Sequence, residues 1–163
     1  MPEQISYRHE LLRKAIHLCS LWMVVSLTTI PRTWNVILFG ALLLILVAVE
    51  YGNHRKWRLF TATYGRFFGR LLRAQETGET FQLSGAPHVL AAALMCALLF
   101  EYRIAAIALS TMLIGDTGAA LVGRKWGKHK INAGRKSVEG AATFWVCSFC
   151  VLLCFVWLYA LPI

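Results

Sequence analysis

Acidic residues are scarce in this chain. Among 163 residues there are eight, and only Asp116 is an aspartate. A site built from several converging aspartates is therefore excluded. Charge of either sign is low as well, at 15% against roughly 25% in soluble domains. The hydrophobic share of 58% rules out a disordered chain. It also argues against an ordinary soluble domain, because a core this small does not hide so many apolar side chains. No repeat and no low-complexity stretch occurs, and the length allows one domain, expected as a single membrane-embedded unit over 1–163.

What is present is apolar and basic. The mean hydropathy is +0.57 and the pI about 9.7. Gly140–Ile163 contains no charged residue, and Ile104–Gly115 contains none before Asp116 interrupts. A crossing helix needs about 20 mostly apolar residues. Five crossings are expected: Leu11–Ile30, Thr33–Val49, the short Ala86–Phe100, Ile104–Val122 and Gly140–Leu161. The expected fold class is an all-α, polytopic membrane bundle. An interfacial amphipathic helix is expected over 54–75, where Trp57, Phe60, Tyr64 and Phe67 recur at helical spacing and Arg66, Arg70 and Arg73 occupy another face.

Lysines and arginines segregate. Alternate connections carry fifteen and two of them, with Arg32 and Arg103 the only basic residues on the sparse side. The positive-inside rule places the N-terminus, 51–85 and 123–139 in the cytoplasm and the C-terminus outside. No small-x-small cleavage site follows the first span, so a removed signal peptide is not expected. A bacterial inner membrane is the expected location. The basic loops suit anionic lipid or phosphate ligands, and no basic domain stands apart from the membrane, so nucleic acid is not an expected partner. An oligomer is compatible with this pattern. Cys147, Cys150 and Cys154 lie within the last apolar span, where they read as small packing residues rather than metal ligands.

Three polar clusters fall at the cytoplasmic boundary. Asp116 lies inside a span, where a charge is costly and usually functional. Around it Gly115, Ala119, Gly123 and Gly127 recur every four residues, followed by Arg124 and Lys128. Close helix packing explains such a row, and so does a backbone open to phosphate with Asp116 holding Mg²⁺. Next come Arg135, Lys136, Ser137 and Glu139 before the last span. Ser137 reads as an N-cap and Glu139 as a favourable first-turn charge. Arg135 and Lys136 would be repelled by that helix end, which points to an anion. In the first span Arg13, Lys14 and His17 share a face; the two cations serve as anchors or ligands, and His17 as a core residue or a reactive one. Ser84 and Gly85 reach the same leaflet. A one-sided polar site suits a reaction between a soluble phosphate compound and a lipid.

Arg13-Lys14-x-x-His17, Leu83-Ser84-Gly85-Ala86, Gly115-Asp116-x-x-Ala119-Ala120-x-x-Gly123-Arg124-x-x-Gly127 and Lys136-Ser137-x-Glu139-Gly140 occur in the order found in the polyprenol kinase family. That family includes dolichol kinase, phytol kinase and the CTP-dependent diacylglycerol kinase. The resemblance covers most of the chain, which looks like a small bacterial-type member lacking the extra helices of eukaryotic dolichol kinases. It implies phosphorylation of a lipid alcohol with CTP and a divalent metal. Asp116 and Glu139 would then hold the metal, with Lys128, Arg135 and Lys136 on the phosphates and Arg13, Lys14 or His17 orienting the reactants. Two other readings stand beside it. A phosphatidate cytidylyltransferase shares a similar Asp-x-x-Ala stretch but resembles sites with several acidic ligands. A small transporter would favour a midplane site reachable from both sides.

Overall fold

The computed structural model describes residues 7–55, 83–131 and 136–159. Almost all of them are helical: α1 (Tyr7–Cys19), α2 (Trp22–Thr29), α3 (Arg32–His54), α4 (Gly85–Leu99), α5 (Tyr102–Lys125) and α6 (Val138–Tyr159). Four helical stretches are long and apolar enough to cross a bilayer: Leu11–Thr29, Arg32–His54, Tyr102–Lys125 and Val138–Tyr159. The 15-residue α4 is the shorter apolar helix that the sequence marks at Ala86–Phe100. The chain is an all-α integral membrane protein. The expected interfacial helix at 54–75 falls mostly outside the described residues.

The observed helices overrun the expected spans. α3 runs to His54 rather than Val49, and α5 to Lys125 rather than Val122. Backbone hydrogen bonding continues past the apolar stretch, because polar side chains at a helix end reach into the interface. The first span is not one straight helix. Between α1 and α2 the backbone tightens into i→i−3 bonds, Ser20 N to His17 O (3.1 Å) and Leu21 N to Leu18 O (2.9 Å), so the first span joins two helical pieces. The second piece is fixed to α3 by Asn35, which is buried and donates to Ser26 O (3.1 Å) and Ile30 O (2.8 Å) while accepting from the Ser26 hydroxyl.

α5 is the hub. It packs on α1, α2, α4 and α6, while α3 packs on α4. Small residues make this possible: Ala105, Ala106 and Ala93 are fully buried beside Leu109, Leu113 and Phe39. α6 turns most of its apolar side chains outward, including Trp145, Phe149 and Trp157, as expected for a helix whose outer solvent is lipid. Between α5 and α6 the chain forms a two-stranded antiparallel hairpin that the sequence reading did not anticipate, β1 (Lys130–Ile131) with β2 (Lys136–Ser137). Two-residue strands carry no alternating pattern long enough to read.

Candidate functional site

α1 and α5 meet through charge. Lys14 Nζ donates to Asp116 Oδ2, and His17 Nε2 lies 3.6 Å from the same oxygen. Lys14 and His17 are three residues apart on α1, so the helix presents both to one partner. The Lys14 side chain is only 5% exposed, whereas that of Asp116 is 52% exposed. A buried ammonium requires a paired anion, and Asp116 supplies it with one oxygen. Oδ1 has no protein partner among the described residues. His17 Nε2 is buried without a hydrogen bond. Arg13 is half-buried next along α1.

The glycine row faces α6. A Cβ on Gly115 would stand 2.8 Å from the Phe144 ring, one on Gly123 2.8 Å from Ser137 Oγ, and one on Gly127 2.1 Å from Gly123 O. From the other side, a Cβ on Gly140 would stand 2.9 Å from Ala119 O. Gly123 and Gly140 let the two backbones touch, which is the packing role of small residues in membrane helices. The side of Gly115 and Gly123 where a Cβ would stand is filled by Phe144, Ser137 and Gly140, and that of Gly127 by Gly123 O and Ser137.

Ser137 closes the same seam. Its buried hydroxyl accepts from Gly140 N (3.1 Å), the N-cap arrangement expected from sequence, and donates to Gly123 O (3.4 Å). Val138 N donates to His129 O (3.0 Å). Two of the first N–H groups of α6 are thus bonded within the chain, so any anion at this end would meet mainly side chains. Lys128 and Lys136 are exposed there, and Arg124 is half-buried. Arg135 lies outside the described residues. Lys130 Nζ reaches Gly123 O at 3.4 Å, a cation on the C-terminal carbonyls of α5.

Glu139 Oε1 accepts from the backbone N–H groups of Lys128 and His129 (3.1 Å each) and lies 2.8 Å from His129 Nδ1. Its Oε2 is buried with no partner among the described residues. Glu139 therefore clamps the hairpin to α6 with one oxygen. The side-chain contacts of Asp116, to Lys14 and His17, and those of Glu139, to Lys128 and His129, have no residue in common. Among the described residues no three of His, Cys, Asp and Glu cluster around a point that a metal ion would fill. Mg²⁺ that arrives with a polyphosphate needs only one or two carboxylates, its remaining ligands being phosphate and water. The open Oδ1 of Asp116 fits that requirement.

Sequence reasoning passed over Glu50. It lies in the last turns of α3, buried to 6% exposure. Its Oε2 accepts from Ser84 N (2.9 Å) and its Oε1 from the Ser84 hydroxyl. Ser84 in turn caps α4, accepting from Ala86 N (3.4 Å). Gly85, beside it, has open space where a side chain would be. The available signal was an acid within two turns of a span end, which is rarely neutral. A cavity of about 430 Å³ lies at the opposite end of the bundle, lined by Leu27, Pro31, Arg32, Asn35, Phe100 and Tyr102. It shares no residue with the Lys14–Asp116 pair.

No family model matches the chain, and no solved structure matches it. Two curated proteins are similar to it. An uncharacterized protein of Rickettsia prowazekii (strain Madrid E) is 29% identical over 140 residues, 82% of this chain and 64% of that protein. CTP-dependent diacylglycerol kinase 1 of Schizosaccharomyces pombe is 35% identical over 107 residues, 62% of this chain and 44% of that protein. The chain thus spans less than two thirds of either relative's length.

Proposed function

We propose that this protein is a CTP-dependent lipid-alcohol kinase working at the cytoplasmic leaflet. The observation that carries the reading is the meeting of Lys14, His17 and Asp116. Two polar motifs far apart in sequence converge at one depth of an apolar bundle, and the carboxylate keeps one oxygen open. The similarity to a CTP-dependent diacylglycerol kinase supports the donor and the acceptor class. A polyprenol, phytol or diacylglycerol hydroxyl fits the same description.

In this reading the lipid oxygen attacks the γ-phosphorus of CTP. A new O–P bond forms, the bond from the γ-phosphorus to the β–γ bridging oxygen breaks, and CDP leaves. His17 Nε2, buried and unpartnered, receives the hydroxyl proton. Lys14 holds the Asp116 carboxylate in place. Asp116 Oδ1 would hold Mg²⁺, which supplies charge neutralisation on the triphosphate. Lys128, Arg135 and Lys136 neutralise the remaining phosphate charge, assisted by Arg13 and Arg124. Glu139 fixes the segment before β1 that carries Lys128, and Ser137 fixes the α5–α6 seam beneath it.

Product analysis tests the reading. Purified protein with Mg²⁺, a panel of lipid alcohols and CTP labelled at the γ-phosphate should yield labelled lipid phosphate and unlabelled CDP. Release of pyrophosphate with formation of a CDP-lipid from phosphatidate would assign the chain to cytidylyl transfer instead. Nucleotide binding with no transfer to any lipid would remove the kinase reading.

A further inference from the structure

The end of α5 and the hairpin beyond it form a second surface of distinct chemistry. Trp126 follows the last helical residue and is 58% exposed. The Lys125 ammonium lies 4.5 Å over its ring. Lys128 is exposed nearby, and Ile131 on β1 also presents its side chain outward. The stretch 123–139 holds six basic residues and one acid. That acid, Glu139, spends Oε1 on backbone N–H groups and His129, so it does not neutralise the lysine side chains.

Position adds to composition. The surface begins where the apolar stretch Tyr102–Lys125 ends and closes where Val138–Tyr159 begins, the level at which lipid headgroups lie. Exposed tryptophan prefers that level, and lysine stems lie along apolar surface with their charge outward. The backing is firm, because Gly123 and Gly140 bring the two helices into contact directly beneath it.

We infer that Lys125, Trp126, Lys128 and Ile131 form a docking surface for anionic phospholipid headgroups. Trp126 and Ile131 enter the interface, and the two lysines pair with phosphate. A lysine near an anionic leaflet contributes about fivefold in association. Lys125, Trp126 and Ile131 have no part in the phosphoryl-transfer reading; Lys128 is shared with it, and because lipid quenching of Trp126 is read without turnover, the two readings fail separately.

The test uses the full chain in lipid nanodiscs doped with phosphatidylglycerol or phosphatidylcholine brominated near the glycerol end of the acyl chain. Six tryptophans are present, so the Trp126 signal is the difference between parent and Trp126→Phe. Brominated phosphatidylglycerol should half-quench that signal at a mole fraction roughly five- to twentyfold lower than the phosphatidylcholine analogue. Lys125→Ala with Lys128→Ala should abolish the preference, and Lys125→Arg with Lys128→Arg should keep it. Equal quenching by the two lipids overturns the inference. So does a Trp126 emission that ignores both lipids and shifts with a soluble polyanion such as RNA.

Discussion

Substituting Gly140 by alanine tests the α5–α6 seam on which the candidate site is mounted. The new Cβ would stand 2.9 Å from Ala119 O and 3.2 Å from Gly123 Cα, and both are backbone atoms that no rotamer change moves aside. Ordinary contact needs about 3.4 Å or more, so the helices must part by roughly half an ångström. Overpacking of this kind costs about 1–3 kcal/mol. Parting also stretches the Ser137 bonds to Gly140 N and Gly123 O, which places the cost near the top of that range. Alanine returns up to about 1 kcal/mol through better helix propensity, leaving a net loss of about 2 kcal/mol. Gly40→Ala is the matched control, because a Cβ there meets nothing within 4 Å. At about 2–4 °C per kcal/mol for a chain of this size, Gly140→Ala should melt about 4–8 °C below the parent in detergent. Gly40→Ala should melt at or slightly above it. If Gly140→Ala melts as high as Gly40→Ala, the glycines do not set the helix spacing and the packing argument fails.

Asp116→Asn keeps the shape but leaves the buried Lys14 ammonium without its anion, so the melt should fall while membrane insertion persists, and phosphoryl transfer by the folded protein should drop at least a hundredfold; substantial transfer at saturating Mg²⁺ would show that Asp116 is structural. Ser137→Ala removes the cap on Gly140 N and should lower stability by about 1 kcal/mol with or without nucleotide. Lys136→Ala, at an exposed position, should leave the nucleotide-free melt unchanged and sharply reduce the stabilisation by Mg²⁺ and CTP. Full stabilisation in Lys136→Ala would move the phosphate contact to Lys128 or Arg124. Glu50→Leu deprives Ser84 N and its hydroxyl of their acceptor, a loss of about 1–3 kcal/mol, read as a lower melt that Glu50→Gln partly recovers.

The bilayer made much of this protein legible from its residues alone. Hydrophobic length is a local property, so the five apolar stretches, the all-α class and the approximate ends of each helix follow from composition over about 20 positions. The cost of an intramembrane charge marked Asp116, and helical spacing put Lys14 and His17 on one face. The Ser137 cap was readable because capping acts within three residues. The remaining features depend on how helices are rotated and paired. Lys14 meets Asp116 across 102 residues of sequence, and no local pattern specifies which face of α5 turns toward α1. In sequence the glycines of α5 suit both a seam and an open backbone; their packing against Phe144, Ser137 and Gly140 is decided by tertiary structure. Glu50 drew no attention because its partner, Ser84, is 34 residues away. The division of the first span into α1 and α2, and the pairing of Lys130–Ile131 with Lys136–Ser137, likewise come from tertiary packing. Burial, charge cost and capping act on single segments, whereas side-chain pairing is decided by the orientation of packed helices.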